Sequence, residues 1–172
     1  MDTLDHQILI ALQRDGRQTN ARLAELLGMS QSATLERVRR LEREGSIRDY
    51  RADVEPEALG VGLQAFVAAE LHAHSRDHIE EFERGIVQVA GVRSCYHVTG
   101  RFDYLLHVAV RDLEHLGRLI KNDIAGISGV SKLETMLVLT EVKRDEGWPA
   151  LPADDSRGAS STSNARTTEE ES

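Results

Sequence analysis

The stretch SQSATLERVRRLEREGSI, residues 30–47, decides how the first part of this 172-residue chain folds. Its apolar side chains recur at helical spacing, at Leu35, Val38 and Leu41. Ser30 is a favoured N-cap residue for such a helix, and Gly45 follows the last helical turn. Ile47 and Tyr50 come next as a short β-like pair. The stretch therefore predicts an amphipathic helix followed by a small wing.

Two more helices are predicted before it. The first carries apolar residues at helical spacing and closes at Asp15-Gly16; these residues are Leu4, Ile8, Ala11 and Leu12. The second begins with Thr19 as N-cap and stops at Gly28, two residues before Ser30. A tight glycine turn between helices is typical of a helix-turn-helix. The sequence therefore predicts a winged helix-turn-helix over residues 1–51, a shape that places its third helix in the major groove of DNA.

Composition excludes several classes of protein. The single cysteine, Cys95, cannot form a disulfide framework, and no Cys/His spacing resembles a zinc site. The opening residues 2–7 are acidic and polar, unlike a secretory signal peptide, and no apolar run approaches the length of a membrane span. We expect a cytoplasmic protein with no membrane segment, metal, cofactor or catalytic residue.

The net charge of −8 argues at first sight against DNA binding, because phosphates attract positive charge. The charge is unevenly distributed, however. Residues 37–51 hold six arginines against three acidic residues. The positive charge is thus local, which predicts modest affinity of a single chain for DNA and a need for oligomers.

The third helix is polar and basic on the arc opposite its apolar stripe, at about 100° per residue. The candidate DNA contacts on this helix are Gln31, Ser32, Thr34, Glu36, Arg37, Arg39, Arg40 and Arg43. The early residues of the set would reach base edges, although Gln31 and Thr34 lie nearer the buried side by angle, so structural roles stay open for both. Arg48 and Arg51 in the wing would hold phosphates.

A plainer interpretation of the same helix is a solvated surface whose arginines pair with neighbouring acids. Glu36 and Arg40 have the four-residue spacing that such pairs need, as do Arg40 and Glu44. The cap, the turn and the wing around the helix favour DNA contact instead.

The second half of the chain follows another pattern. Residues 52–62 contain one proline and two glycines and are interpreted as a linker. Apolar residues then alternate from Leu63 to Leu71, as in a strand with one buried face. A helix, two strands, a helix and a last strand over 130–142 complete a ferredoxin-like βαββαβ domain over residues 63–146. The predicted class is α+β, with one sheet face uncovered and therefore dimerisation. Residues 147–172 are predicted to be a disordered tail.

The combination of these two domains resembles the Lrp/AsnC (feast/famine) family of transcription regulators over roughly residues 2–146. The motifs that carry the resemblance in the first domain are Leu4–Leu9, Asp15–Arg17 and Leu35–Glu42 with Gly45 and Ile47. Those in the second domain are Val98–Gly100, Asp103–Leu106, Gly129-Val130 and Glu141–Lys143. The resemblance implies binding to double-stranded DNA, dimers that assemble further, often into octamers, and small effectors, commonly amino acids.

The resemblance also implies an effector site at the loop between the second and third strands. The candidate effector-binding residues are Thr99, Gly100, Arg101, Asp103, Tyr104 and Thr135. Backbone amides there could hold a carboxylate, and Asp103 could hold an amine. Many relatives have an acid where this chain has Arg101, so the ligand of this chain is expected to carry an extra negative group, or binding is lost. A tight β-turn is the plainer interpretation of Gly100.

Two other functions stay open from the sequence. Siroheme decarboxylases look like the same two-domain fold, and such an enzyme would use clustered histidines, for which His97 and His107 on neighbouring strands are candidates. The basic third helix favours a regulator, since an enzyme has no evident use for it. A DNA-packing protein without a ligand is the third alternative.

Overall fold

A computed structural model describes residues 1–73 and 75–151. The described chain divides into two compact units, one formed by residues 1–51 with residues 145–151, the other by Ala52–Arg144. Most of the predicted tail, residues 152–172, lies outside the described residues. No helix of the described chain is long and apolar enough to cross a membrane.

The first unit is built from three helices, as predicted: α1 (Thr3–Arg14), α2 (Asn20–Leu27) and α3 (Gln31–Arg43). The side chain of Thr19 caps α2 and that of Ser30 caps α3, each by accepting a hydrogen bond from a backbone amide of the first turn. Gly28 takes a left-handed conformation (φ 65°), which ends α2 and allows the sharp turn into α3. The apolar stripes of the helices meet in one core, formed by Ile8, Ala11, Leu12, Leu23, Val38 and Leu41.

The wing differs from the prediction. Within the described chain, residues 44–55 contain no strand, so Ile47 and Tyr50 are not a β-pair. The amide of Ile47 donates to the carbonyl of Leu41, and its side chain packs on the helical core. The amide of Tyr50 donates to the Asp49 carboxylate instead of to another strand. The segment is held to the helices by the backbone amide and the side chain of Ile47 rather than by a β-ladder.

The second unit has the predicted βαββαβ order. Its strands are β1 (Leu63–Leu71), β2 (Val92–His97), β3 (Tyr104–Val110) and β4 (Val130–Leu137). They form one antiparallel sheet in the order β2-β3-β1-β4. Its helices are α4 (Arg76–Ile86) and α5 (Leu113–Arg118), the latter continued by a π-helical turn over Leu119–Ile124. β4 ends at Leu137, five residues before the predicted end, because β1 pairs with it only as far as this residue.

Alternation along the strands separates the two faces of the sheet. One face packs on the helices, with Val67 and Leu106 of the strands in the same core as Phe82 of α4 and Leu116 of α5. The intervening residues Phe66 and His107 lie on the other face, where their rings stack 4.8 Å apart. The buried side chains of α4 and α5 belong to the core on the first face, so neither of these two helices covers the second face. The sequence predicted such an uncovered face.

The segment after residue 144 contacts α1 of the first unit. The side-chain amide of Gln13 donates to the Trp148 carbonyl (2.6 Å) and accepts from the Trp148 amide (3.0 Å). Gly147 adopts φ +99° here, and a Cβ at this position would lie 2.5 Å from the Gln13 side chain. The first residues of the predicted tail, 147–151, therefore include a specific docking contact.

Candidate nucleic-acid interface and ligand loop

The orientation of α3 separates a buried stripe from an exposed arc. Thr34, Val38 and Leu41 are buried against the first unit. Most of the predicted DNA contacts lie in the open, and the exposed members are Gln31, Ser32, Glu36, Arg39 and Arg43 on the helix and Arg48 and Arg51 after it. Arg43 pairs with Glu36 at 3.5 Å and Arg51 with Asp49 at 3.0 Å. Exposed pairs of this kind contribute little to stability, so these arginines can exchange their partners for phosphates.

Thr34 is the predicted contact that the structure removes from the surface. Its side chain is 0% exposed, and its hydroxyl donates to the carbonyl of Ser30 at 3.0 Å. A side chain buried in the first turn cannot touch a base edge. The sequence allowed either a structural role or a DNA contact for both Thr34 and Gln31. The structure gives Thr34 the structural role and leaves Gln31 exposed.

Arg37 and Arg40 have partners on another helix. Nη1 of Arg37 lies 2.7 Å from Asp5 and 2.7 Å from Asp2, and Nη2 of Arg40 lies 2.6 Å from Asp5. The two arginine side chains remain 26% and 35% exposed, whereas that of Asp5 is 1% exposed. Burial raises the pKa of Asp5, but the Asp2 amide and the two guanidinium groups outweigh it and hold the pKa well below its usual range.

Asp2 and Asp5 also form the capping box of α1. Each carboxylate accepts a hydrogen bond from the backbone amide of the other residue, at 2.9 Å. Sequence reasoning missed both acids as part of the interface. The three-residue spacing of these acids at the start of α1 could have indicated the capping box. It could not indicate their arginine partners, because Arg37 and Arg40 lie 32 and 35 residues from Asp5.

The loop between β2 and β3 holds four of the predicted effector residues at one end of the sheet, which are Thr99, Gly100, Arg101 and Asp103. Thr99, Gly100 and Arg101 are exposed, and Gly100 has φ +124°, a conformation that favours glycine. The guanidinium of Arg101 pairs with Glu134 of β4 at 3.1 Å and lies 4.9 Å from the centre of the Phe102 ring. The positive charge of Arg101 in this loop is therefore already paired with the carboxylate of Glu134.

Asp103 ties this loop to β1. Its carboxylate accepts a hydrogen bond from the Leu71 amide at 2.8 Å, and its own amide donates to the Ala69 carbonyl at 3.0 Å. The acid is half-buried and fixed in position by these contacts. Asp103 therefore lies where the loop joins β3, next to Tyr104, and not at the exposed tip of the loop.

Tyr104 and Thr135 do not belong to the exposed loop. Tyr104 is 2% exposed, and its hydroxyl donates to Glu83 of α4 at 2.9 Å. Burial is the main cause that raises the pKa of Tyr104 far above its usual range. Thr135 lies on β4 opposite Val67, and β1 separates β4 from β3. The structure thus brings residues 99–103 together and places Tyr104 in the core.

The two histidines considered for an enzyme lie on opposite faces of the sheet. His97 pairs with Tyr104 in the strand register and stacks on its ring at 4.8 Å, on the helix-covered face. His107 stacks on Phe66 on the other face and forms a hydrogen bond with Gln64 at 2.9 Å. Burial lowers the pKa of His107. The sheet keeps these side chains apart, so they do not form one catalytic pair. Among residues 1–73 and 75–151, no group of three potential metal ligands occurs.

Both parts of the chain match models of known domains. Residues 1–42 match the AsnC-type helix-turn-helix domain, and residues 64–148 match the Lrp/AsnC ligand binding domain. These matches contain α3 as far as Glu42 and the loop between β2 and β3.

Individual relatives agree with the domain matches. The leucine-responsive regulatory protein of Escherichia coli is 37% identical over 144 residues, which cover 84% of this chain and 88% of the relative. A transcriptional regulator of Neisseria meningitidis, solved as a complex with L-Met, has a TM-score of 0.80 at 33% identity, covering 87% of this chain and 96% of that one. An AsnC family regulator from Agrobacterium tumefaciens has a TM-score of 0.81 at 28% identity, covering 87% and 97%. The chain belongs to the Lrp/AsnC family of DNA-binding transcriptional regulators, as its motifs predicted.

Proposed function

We propose that this regulator reads specific DNA sequences with α3 and that a small effector, an amino acid or a related metabolite, modulates its DNA binding or its oligomeric state. The observation that carries the proposal is the exposed basic arc of a capped third helix in a chain that also has a ligand-binding domain. The L-Met complex of the Neisseria meningitidis regulator supports an amino acid as the class of effector.

Different residues would have different tasks at the DNA. We propose base-edge contacts for the exposed residues early in α3, which are Gln31, Ser32 and Glu36. Phosphate contacts are proposed for Arg39, Arg43, Arg48 and Arg51. Arg37 and Arg40 remain partly exposed, so they can approach DNA while bound to Asp5.

We also propose a role for each segment of the chain. Residues 1–51 are the proposed DNA-binding domain, 52–62 the linker, 63–146 the effector-binding and oligomerisation domain, and 147–172 the tail. The uncovered sheet face around Phe66 supports a dimer, because apolar rings on an open face are stabilised by a partner. Further assembly to octamers and a cytoplasmic location are proposed from the family and from the DNA target.

Selection from a random duplex library tests the function. We expect the full chain to enrich one motif, with an affinity that falls steeply as salt rises, because arginine–phosphate contacts release counterions. Addition of single amino acids is expected to change binding or oligomer size, measured by band shift and by light scattering. Sequence-tolerant binding without any effector response would contradict the proposal and favour a DNA-packing protein.

Arg101 is expected to influence the choice of effector. We expect Arg101→Asp to weaken binding of ligands with an additional negative group and to favour simple amino acids, because the change reverses the sign of the exposed loop charge that faces Glu134. Calorimetry with a panel of amino acids and 2-oxo acids measures this.

The matched control for this prediction is Arg118→Asp, which reverses an equally exposed arginine, paired with Glu114 on α5. Its binding profile should equal that of the wild type. Identical profiles for Arg101→Asp and the wild type would remove Arg101 from the effector site.

A further inference from the structure

Asp5 is a buried carboxylate whose charge is stabilised by two arginines and a backbone amide. Among the described residues, the buried polar or charged side chains are Asp5 and Thr34. A carboxylate that leaves water loses solvation energy, and one beside a DNA-facing helix weakens the attraction for phosphates. The capping box and the two ion pairs offset the first cost, but a negative charge beside α3 does not serve affinity for DNA, so its place there calls for a further explanation.

The contacts of Asp5 define a geometry. Oδ1 accepts from Nη1 of Arg37 at 2.7 Å and from Nη2 of Arg40 at 2.6 Å, while Oδ2 accepts from the backbone amide of Asp2 at 2.9 Å. The carboxylate is thereby anchored to the first turn of α1. The two arginines lie three residues apart on α3, so α1 holds α3 at two points about one helical turn apart.

The apolar core alone does not provide this control. Ile8 of α1 and Val38 and Leu41 of α3 share the core of the first unit, but apolar attraction is non-directional and tolerates small rotations of a helix. Charge-assisted hydrogen bonds are directional, and in some proteins buried polar or ionic groups select one packing arrangement over its neighbours. The Asp5 contacts are therefore suited to fixing the rotation of α3 about its own axis.

We propose that Asp5 is a positioning residue for DNA recognition: its carboxylate orients Arg37 and Arg40, and through them sets the rotation of α3 that aims its exposed arc at the base edges. Arg37 and Arg40 then act in two ways, as anchors of α3 through Asp5 and as partly exposed cations beside the DNA. This inference rests on the proposed DNA-reading role of α3.

The test compares affinity for two duplexes, the one that the wild-type chain selects from a random library and a scrambled duplex of the same composition. We expect Asp5→Asn to lower the ratio of the two affinities about tenfold, because a rotated helix loses well-aligned base contacts. Affinity for the scrambled duplex should stay constant or rise, because a negative charge has been removed. A lower affinity ratio with unchanged affinity for the scrambled duplex would show that the variant alters the orientation of α3 and does not simply weaken DNA binding in general.

Glu25→Gln is the matched control. It removes one negative charge from the same unit, from an exposed carboxylate that pairs with Arg22 at 2.6 Å. Its affinity ratio should equal that of the wild type. A ratio for Asp5→Asn that equals the ratio for Glu25→Gln would overturn the inference.

Arg40→Lys keeps the proposal testable if Asp5→Asn does not fold, as judged by circular dichroism. Lysine keeps the positive charge but lacks the planar guanidinium, so we expect about a tenfold lower ratio. An unchanged ratio would overturn the inference. If both variants fold, the loss of the ratio in the double variant should be smaller than the product of the two single losses, because both changes break the Asp5–Arg40 contact; fully multiplied effects would contradict the inference. If the wild-type chain selects no sequence from the library, the proposed function is overturned rather than the role of Asp5. This outcome is seen with the wild-type chain alone.

Discussion

Replacement of the four exposed arginines Arg39, Arg43, Arg48 and Arg51 by alanine is expected to weaken DNA binding about a thousandfold near physiological salt. The reason is that each arginine proposed to neutralise a phosphate releases a condensed counterion. The dependence of log affinity on log salt should become shallower by about 3 to 4, since each phosphate contact adds about 0.9 to that slope. Fluorescence anisotropy with a labelled duplex over a series of salt concentrations measures both quantities.

The control removes the same charge from the second unit, by alanine at four exposed arginines, which are Arg76, Arg84, Arg93 and Arg118. It should leave the salt slope unchanged, because none of these four arginines is proposed to contact a phosphate. Equal losses in both variants would show that net charge rather than the α3 arc governs binding, and would contradict the assignment.

Tyr104→Ala is expected to lower the free energy of unfolding of the second unit by about 3 to 5 kcal/mol. The ring of Tyr104 packs against Phe82 at 4.5 Å and against His97 at 4.8 Å. Its removal leaves a cavity beneath the ligand loop and takes away the hydroxyl that Glu83 accepts from. Urea denaturation followed by circular dichroism measures the loss.

Tyr104→Phe separates packing from ligand contact. It keeps the ring and removes only the hydroxyl bond to Glu83, at a cost of about 1 kcal/mol. Effector binding by this variant should match the wild type in calorimetry, since the hydroxyl lies in the core. A stable Tyr104→Phe variant that no longer binds effector would restore Tyr104 as a ligand contact, as the sequence predicted.

The helices and strands could be predicted because their causes are local. The caps at Thr19 and Ser30 act on amides within the next turn, and the period of apolar residues shows which face of α3 is buried. Alternation from Leu63 to Leu71 likewise predicted β1 of the second unit. Order and type of the elements follow from interactions over a few residues.

The errors arose where a side chain's partner lies far along the chain. Arg37 and Arg40 looked like members of an exposed arc, but Asp5 reaches them across more than thirty residues. The end of β4 depends on its pairing with β1, and the wing forms no strand although Ile47 and Tyr50 were predicted as a β-like pair. A local pattern contains no information about these partners.

The sequence by itself determined the family, the two kinds of domain and the basic character of α3, since motifs and periodicity are properties of neighbouring residues. Only the tertiary structure decided which cations are paired and which polar groups are buried. It tied two arginines of α3 to α1, placed Tyr104 in the core and paired Arg101 with Glu134. These outcomes depend on the packing of distant segments, because burial and electrostatic pairing are set by the neighbours in space rather than by those in sequence.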